Sequence, residues 1–272
     1  MDSQIVAVYC LCDDVLKGLR HHEDPQCQMS DAEVLTTAIT AVLYHAGNFE
    51  LARKHLKAEG YIPNMLGKSR FNRRLHRLQD LILTLFQVLG ETWKALNHKS
   101  IYAIDSFPVA SCDNYRICRS QRYRGEAWRG YQPSKKRYFY GLKIHIMATE
   151  HGQPVEFFLT SGSYSDTSAY RLYDFDLPKG AYITGDKAYN DYDFEDALWE
   201  AGLKMSPLRK KNSHRPIPPW AFYLRYTYRK IIETTGSLIE RILPKSIHSV
   251  TAEGFELKVD LFVLACSLNF LW

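Results

Sequence analysis

The pattern of apolar residues changes near residue 100, and this change limits the folds open to the chain. Before it, apolar residues recur with helical spacing, as at Val34, Leu35, Ala38, Ile39, Val42 and Leu43. After it, short apolar runs that suit buried strands alternate with helical segments. We therefore predict an α/β protein in two parts, with a small all-helical domain over 1–98 and a mixed-sheet domain over 99–272.

The helical part carries clear helix boundaries. Ser30 and Glu33 have the spacing of a capping box, and Gly47 predicts a break before a second helix over about 49–58. A third, long helix is expected to open with Lys68, Arg70, Arg73, Arg74 and Arg77. Two helices joined by a short turn and followed by a basic helix fit a helix-turn-helix-like DNA-binding module. They fit a plain helical bundle with a basic face equally well.

Basic residues are concentrated in three segments, although the net charge of the chain is only +5. Segment 53–77 has eight Lys/Arg against one Glu, 116–143 has nine against one, and 204–230 has eight against none. Tyr, Phe and Trp are interspersed with these charges. The segregation favours a surface for a polyanion, and the aromatic residues favour nucleic acid as that partner.

Several classes of protein are excluded by composition. The chain has no run of about 18 uncharged apolar residues, so we expect no membrane span. Its six cysteines include no C-x-x-C pair, and its first residues do not resemble a signal peptide. We expect a cytoplasmic protein. No glycine-rich nucleotide-binding motif is present, which argues against a nucleotide-cofactor enzyme.

Two strand-like runs in the second part each lead to an aspartate. Asp105 follows the run 101–104, where Pro108 is expected to stop the strand, and Asp186 follows 181–184 and Gly185. A third carboxylate, Glu233, lies on a helix predicted over about 222–242. Acids at the carboxyl ends of neighbouring strands meet at the open edge of a sheet. Three such carboxylates repel unless a divalent cation neutralises them, and two Mg²⁺ or Mn²⁺ ions would suit phosphodiester chemistry.

The remaining elements follow from local signals. A hairpin turn at 150–154 separates two strand-like runs, 138–148 and 155–160, and the first of them carries Lys143 and His145 on one face. Short helices are expected near 166–173 and 192–201, with Asp166 in a capping position. The apolar segment 251–272 is expected to form a helix that packs on the sheet.

A spacing on the predicted helix over 222–242 is more specific. Tyr226, Arg229 and Glu233 lie at i, i+3 and i+7 and so share one face. This spacing resembles the Y-x2-R-x3-E-x6-K signature of the DDE transposases of bacterial insertion sequences, with Glu240 at the signature lysine and Arg241 and Lys245 close by. Further stretches that resemble landmarks of that family are I-D-S-F-P-V at 104–109, G-L-K-I-H at 141–145, L-T-S-G-S at 159–163 and G-D-K-A-Y at 185–189.

The resemblance implies an RNase H-like catalytic core over roughly 100–272. In it, Asp105, Asp186 and Glu233 would be both the catalytic and the metal-binding residues, with Mg²⁺ as cofactor and Mn²⁺ as a substitute. The residues implied to contact DNA near the scissile phosphate are Lys143, His145, Tyr226 and Arg229. Arg70, Arg73 and Arg74 would contact DNA from the helical domain.

The function that this resemblance implies is metal-dependent cleavage of DNA at element ends followed by strand transfer. The partners would be double-stranded DNA, as terminal inverted repeats and as target, and a second copy of the chain on that DNA, in the bacterial nucleoid. Two alternatives remain open at this point: an RNase H-like nuclease without strand transfer, and a DNA-binding regulator without catalysis. Glu240 is a rival to Glu233 for the third carboxylate.

Overall fold

The fold is described from a computed structural model. It describes residues 2–112, 120, 122–209, 212–217, 219–244 and 246–272, so Lys245, and Arg116 and Arg119 of the basic segment 116–143, lie outside the described residues. The described chain forms two compact units. One consists of Met1–Leu89 with Arg241–Trp272, and the other of Gly90–Glu240.

Helices and strands are numbered in chain order. The helices are α1 (Asp2–Gly18), α2 (Asp31–His45), α3 (Phe49–Ala58), α4 (Lys68–Arg77), α5 (Gln79–Leu96), α6 (Asp166–Arg171), α7 (Tyr192–Glu200), α8 (Pro219–Ile242) and α9 (Ala252–Leu268). The strands are β1 (Ile101–Ala110), β2 (Arg129–Gln132), β3 (Arg137–Thr149), β4 (Pro154–Ser161), β5 (Tyr182–Thr184) and β6 (Lys204–Met205). Within the described residues, no helix combines the length and the apolarity that crossing a membrane requires.

The start of α2 and the turn that follows the helix form as predicted. The Ser30 hydroxyl accepts a hydrogen bond from the Glu33 backbone at 3.1 Å, and the Glu33 carboxylate accepts one from the Ser30 backbone at 2.7 Å. After α2 the chain turns through Ala46 and Gly47 at positive φ. A Cβ at Gly47 would lie 2.9 Å from the Phe262 ring of α9. The turn therefore needs glycine both for its backbone conformation and for its space.

Two expectations for the helical unit are wrong. The basic third helix ends at Arg77, and a new helix begins at Gln79, so α4 and α5 replace one long helix. The C-terminal helix α9 belongs to the helical unit and not to the sheet unit, and it packs against α2. Buried side chains lie on all sides of α9. A helix that is apolar on every side must be surrounded by other parts of the protein, and several neighbouring helices can surround it.

The second unit contains a mixed sheet with the strand order β2-β3-β1-β5-β6, and β4 also pairs with β3. The strands β1, β3 and β4 are antiparallel neighbours, whereas β5 and β6 run parallel to β1. The predicted turn at 150–154 joins β3 to β4. This mixed α/β arrangement confirms the predicted fold class and is consistent with an RNase H-like core.

Strand β1 is longer than we predicted, because it continues through Pro108 to Ala110. Its pairing with β3 covers this whole stretch, but β5 pairs with it only over Ile101–Ala103. The Ser111 backbone N–H donates to Tyr140 of β3, and alternate residues of a strand face the same side, so the nitrogen of Pro108 faces the opposite, open edge. A missing N–H costs nothing there, and proline does not end the strand.

Candidate active site

The two predicted aspartates lie at the same level of the sheet, although Asp105 stands within β1 and not at its end, and Asp186 follows the end of β5 by two residues. Ala103 of β1 is paired with Thr184 of β5, and Asp105 and Asp186 each follow this pair by two residues. Residues in register on neighbouring parallel strands point to the same face, with the strands about 4.8 Å apart. The Asp186 carboxylate also accepts a hydrogen bond from the Ala188 backbone at 2.6 Å, which fixes its direction where β5 ends.

Asp105 is in an electrostatically unfavourable place for a carboxylate. Burial, together with the negative charges of Asp186, Asp166 and Glu233, raises its pKa to about 7, against the opposing effect of the Ser106 backbone N–H. That N–H donates to Asp105 Oδ1 at 2.8 Å. The charges of Asp186 and Glu233, the other two predicted carboxylates, therefore both reach Asp105, and the charge of Asp166 reaches it too.

Helix α8 carries Glu233 to the face of the sheet that holds Asp105. A Cβ at Gly236 would lie 3.6 Å from the Phe107 ring, and Phe107 shares a face of β1 with Asp105. The Thr235 hydroxyl donates to the Gly152 carbonyl in the β3–β4 turn at 2.8 Å, which gives the helix a second attachment to the sheet unit. Glu233, on the turn before Gly236, is thereby held beside the aspartates.

Glu233 and its rival Glu240 differ in position along α8. Glu233 Oε1 lies 2.7 Å from Arg229 Nη2, so the arginine and the carboxylate of the predicted signature are in direct contact. Glu240 is exposed and lies seven residues further on, a distance of about 10 Å along the helix axis. Because the charge of Glu233 reaches Asp105, we favour Glu233 over Glu240 as the third carboxylate.

Asp166 has contacts that the sequence did not reveal. Ser165 rather than Asp166 caps α6, through its hydroxyl and the Ser168 backbone. The Asp166 carboxylate instead accepts hydrogen bonds from the Ser106 hydroxyl at 2.6 Å and from Lys143 Nζ at 3.1 Å. It connects β1 to β3 beside Asp105. The only sequence signal that Asp166 does something other than cap the helix is its neighbour Ser165, which is itself a favourable N-cap residue.

His145 does not fit the predicted DNA contact, because its side chain is fully buried. Its ring stacks on Phe158 with the centroids 4.6 Å apart, and Nε2 lies 3.0 Å from the Thr160 hydroxyl. Burial lowers the pKa of His145 to about 4, so the ring is neutral near pH 7. His145 is a packing residue under the sheet surface, whereas its neighbour on the same face, Lys143, is only partly buried.

The signature residues that precede Glu233 remain accessible. Tyr226 is 39% exposed, stacks on Phe222 and has Lys230 Nζ 4.7 Å from its ring centroid. Arg229 is partly exposed in its contact with Glu233. This face of α8 therefore presents cations and an aromatic ring beside the carboxylates.

The basic residues of α4 separate into two kinds. Arg70 and Arg73 are exposed, as a DNA contact requires. Arg74 is not: its Nε lies 2.7 Å from Asp31 Oδ1, and it also donates to the Met29 carbonyl. The predicted DNA contact by Arg74 is therefore replaced by a structural role, because Asp31 is buried and needs a positive partner.

One further group of possible metal ligands lies in the helical unit. Oxygen or nitrogen atoms of His21, Glu23 and Asp31 lie within 4.8 Å of one another. Arg74 approaches both carboxylates of this group, at 2.7 Å for Asp31 and 3.7 Å for Glu23. Because the guanidinium already supplies the positive charge, we interpret the group as an ion-pair network.

The site combines carboxylates from two parallel strands and a helix with cations and an aromatic ring. This combination is typical of metal-dependent enzymes that act on phosphodiesters. Residues 95–246 match the family model described as "Transposase DDE domain". The chain belongs to this family. It is a DDE transposase, and members of the family depend on divalent metal ions.

Among solved structures, the chain is similar to piggyBac transposase, determined by cryo-EM in a synaptic complex with hairpin DNA. The two share 12% sequence identity with a TM-score of 0.45, and the match covers 98% of this chain and 72% of the other. No curated protein matches the chain.

Proposed function

We propose that this transposase cuts DNA at the ends of an insertion sequence and joins the freed 3′ ends to target DNA, with Asp105, Asp186 and Glu233 as its catalytic carboxylates. The observation that carries the proposal is the register of β1 and β5. Both aspartates follow the Ala103–Thr184 pair by two residues, and burial together with the charges of Asp186 and Glu233 raises the pKa of Asp105.

The donor set fits Mg²⁺, with Mn²⁺ as a substitute, because both ions prefer carboxylate oxygens. Within the described residues, Asp105 and Asp186 accept hydrogen bonds from backbone N–H groups and have no cationic side chain bonded to them. Their charges are left for a cation to neutralise. Bound metal would supply activation of the attacking oxygen and stabilisation of the leaving oxygen.

The chain's own residues hold and orient the substrate in this proposal. Arg229 and Tyr226 contact the phosphate backbone next to Glu233, since an arginine and a tyrosine hydroxyl both donate to phosphate oxygens. Lys143 also contacts the DNA strand, and its hydrogen bond to Asp166 at 3.1 Å holds the lysine side chain in position. Exposed Arg70 and Arg73 of the helix-turn-helix-like unit contact the terminal inverted repeats, and two copies of the chain hold a pair of ends.

Cleavage of DNA that carries the element's flanking sequences tests the assignment of the third carboxylate. Wild type, Glu233→Gln and the matched variant Glu240→Gln are compared in Mg²⁺, Mn²⁺ and EDTA. We expect cleavage only with metal, loss of cleavage by Glu233→Gln and retention by Glu240→Gln. Loss by Glu240→Gln alone would overturn the assignment of Glu233.

Strand transfer is tested separately with a labelled, pre-cut end and a target plasmid. Joined products are expected from the wild type and not from Asp105→Asn or Asp186→Asn, because one set of carboxylates serves both steps. Cleavage without joining would favour the hydrolytic nuclease. Specific binding of the repeats without either reaction would favour the regulator.

A further inference from the structure

The hairpin formed by β2 and the first residues of β3 has two unlike faces. On one face Phe139 is buried, and Gly130 lies opposite it, where a Cβ would come within 2.3 Å of the ring. On the other face Tyr131 and Tyr138 are directly opposite each other, 49% and 51% exposed, with ring centroids 5.0 Å apart. The hairpin therefore holds two tyrosine rings in water on a backbone that is fixed from behind.

Positive charge predominates around these two rings, and Glu126, 3.3 Å from Arg129, is the acidic residue that lines the same cleft. The Arg129 guanidinium lies 4.3 Å from the centroid of Tyr138. Lys135, Lys136 and Arg137, at the turn of the hairpin, are all exposed. Exposed rings beside several exposed cations suit an anionic ligand that also has flat, apolar parts.

The rings line an open cleft of about 450 Å³, which also contains Tyr164 and Lys143. Lys143 Nζ donates to the Tyr164 carbonyl at 2.8 Å and to Asp166 at 3.1 Å. Asp166 in turn accepts from Ser106, the neighbour of Asp105. The cleft is thus connected, through Lys143, to the carboxylates of the proposed active site.

We propose that this cleft binds an unpaired stretch of DNA, with bases stacked on Tyr131 and Tyr138 and phosphates held by Arg129 and Lys143. A base inside a duplex has both faces covered, so away from the duplex ends an exposed ring can stack only on a base that has left the stack. Duplex phosphates would need cations but no rings. The proposal rests on the proposed function, because DNA cleavage is what would bring an unpaired strand to this cleft. The cleft would steer that strand to Asp105 and Asp186.

The test measures binding of a labelled oligo-dT of about 12 nucleotides, and of a duplex of equal length, by fluorescence anisotropy in EDTA. Tyr131→Ala and Tyr138→Ala are each compared with the corresponding Phe variant, which keeps the ring. Trp199→Ala is the matched control. It removes another exposed aromatic residue with a cation near it, Lys204 Nζ at 5.4 Å, from α7.

We expect each Ala variant to weaken oligo-dT binding about tenfold, the size ordinarily found when one stacking ring is removed. Duplex binding should change by less than about twofold, and the Phe variants and Trp199→Ala should bind like the wild type. Equal weakening for oligo-dT and duplex, or none for either, would overturn the proposal. So would a loss of self-association with oligo-dT binding unchanged, because the rings would then belong to a protein interface.

This binding assay contains no metal and no chemistry, so it is independent of the proposed catalytic triad. If Asp105→Asn still cleaved DNA, the triad would fail while the stacking result stood. If the Tyr→Ala variants bound oligo-dT like the wild type, the stacking proposal would fail while the triad stood.

Discussion

Asp105→Asn should make the metal-free protein more stable while it removes activity. The Asp105 carboxylate is partly buried, and burial together with three neighbouring carboxylates opposes its ionisation. An asparagine has the same shape and can still accept the Ser106 hydrogen bond through its oxygen. It carries no charge, so the unfavourable electrostatic energy disappears along with the proposed metal ligand.

The size and the pH dependence of this effect follow from the pKa of Asp105. A carboxyl whose pKa rises from 3.8 to about 7 on folding has an ionised form that is disfavoured by on the order of 4 kcal/mol. Because the folded pKa is the higher one, the protein loses stability as the pH rises from about 4 to about 7. The advantage of Asn should therefore be absent near pH 4 and complete above pH 7, with about 4 kcal/mol as its upper limit.

Urea unfolding of wild type and Asp105→Asn in EDTA at pH 5 and pH 8 measures the difference. Asp174→Asn, an exposed aspartate of the same unit, serves as the control and should change little. Adding Mg²⁺ at about 100 times its dissociation constant should stabilise the wild type by about 2.7 kcal/mol and the variant by less. The difference in free energy of unfolding between Asp105→Asn and the wild type is thus expected to be largest in EDTA at pH 8.

One pattern of results would refute this reasoning. If Asp105→Asn were no more stable than the wild type at pH 8 in EDTA, Asp105 would not be held against electrostatic repulsion. If it were more stable by the same amount at both pH values, the gain would come from packing and not from charge. Retained cleavage by the variant would refute the catalytic role in addition.

Three further predictions concern the helical unit. Arg74→Gln should lower its free energy of unfolding by about 3 kcal/mol, since it removes the guanidinium partner of buried Asp31 and leaves, among the described side chains, only the His21 contact at 2.8 Å. Arg73→Gln should leave urea unfolding unchanged but reduce the slope of log K for DNA binding against log salt by about one. Burial raises the pKa of Asp260 to about 7, so Asp260→Asn should stabilise the protein at pH 8 and not at pH 4.

Each of these variants has an outcome that contradicts its premise. Normal stability of Arg74→Gln would mean that Asp31 is satisfied without the guanidinium. An unchanged salt slope for Arg73→Gln would remove Arg73 from the DNA interface. The gain from Asp260→Asn should exceed that from Glu253→Gln, an exposed change on the same helix, and equal gains at both pH values would argue against the stated cause.

Local signals in the sequence were enough to predict most helix and strand positions. The capping box of Ser30, the hairpin turn at 150–154 and the run before Asp186 depend on residues that are close together in the chain. The same holds for Tyr226, Arg229 and Glu233, because helical spacing alone places them on one face. The catalytic roles of Asp105, Asp186 and Glu233 stay predictions until activity is measured.

What could not be predicted depends on long-range pairing. The length of β1 was underestimated because Pro108 is tolerated only where β5 has already ended. The burial of His145 is set by Phe158 and Thr160 on β4, and the ion pair of Arg74 is made with a residue 43 positions earlier. No periodicity in the sequence records such partners.

The placement of α9 shows the same limit for apolar segments. An all-round apolar helix buries itself equally well under a sheet or among helices, so its composition does not reveal which surface covers it. A division at residue 98 would separate it from α2, on which it packs.

Because the helical unit is made of residues 1–89 and 241–272, it cannot be completed while the chain is still being synthesised up to residue 240. The sheet unit, which is continuous in sequence, can be completed first. Until α9 is made, α2 keeps apolar surface open to water and to chaperones. The helices proposed to recognise DNA are thus translated before the sheet unit but can mature only after it, and a product interrupted before α9 would lack the cover of α2.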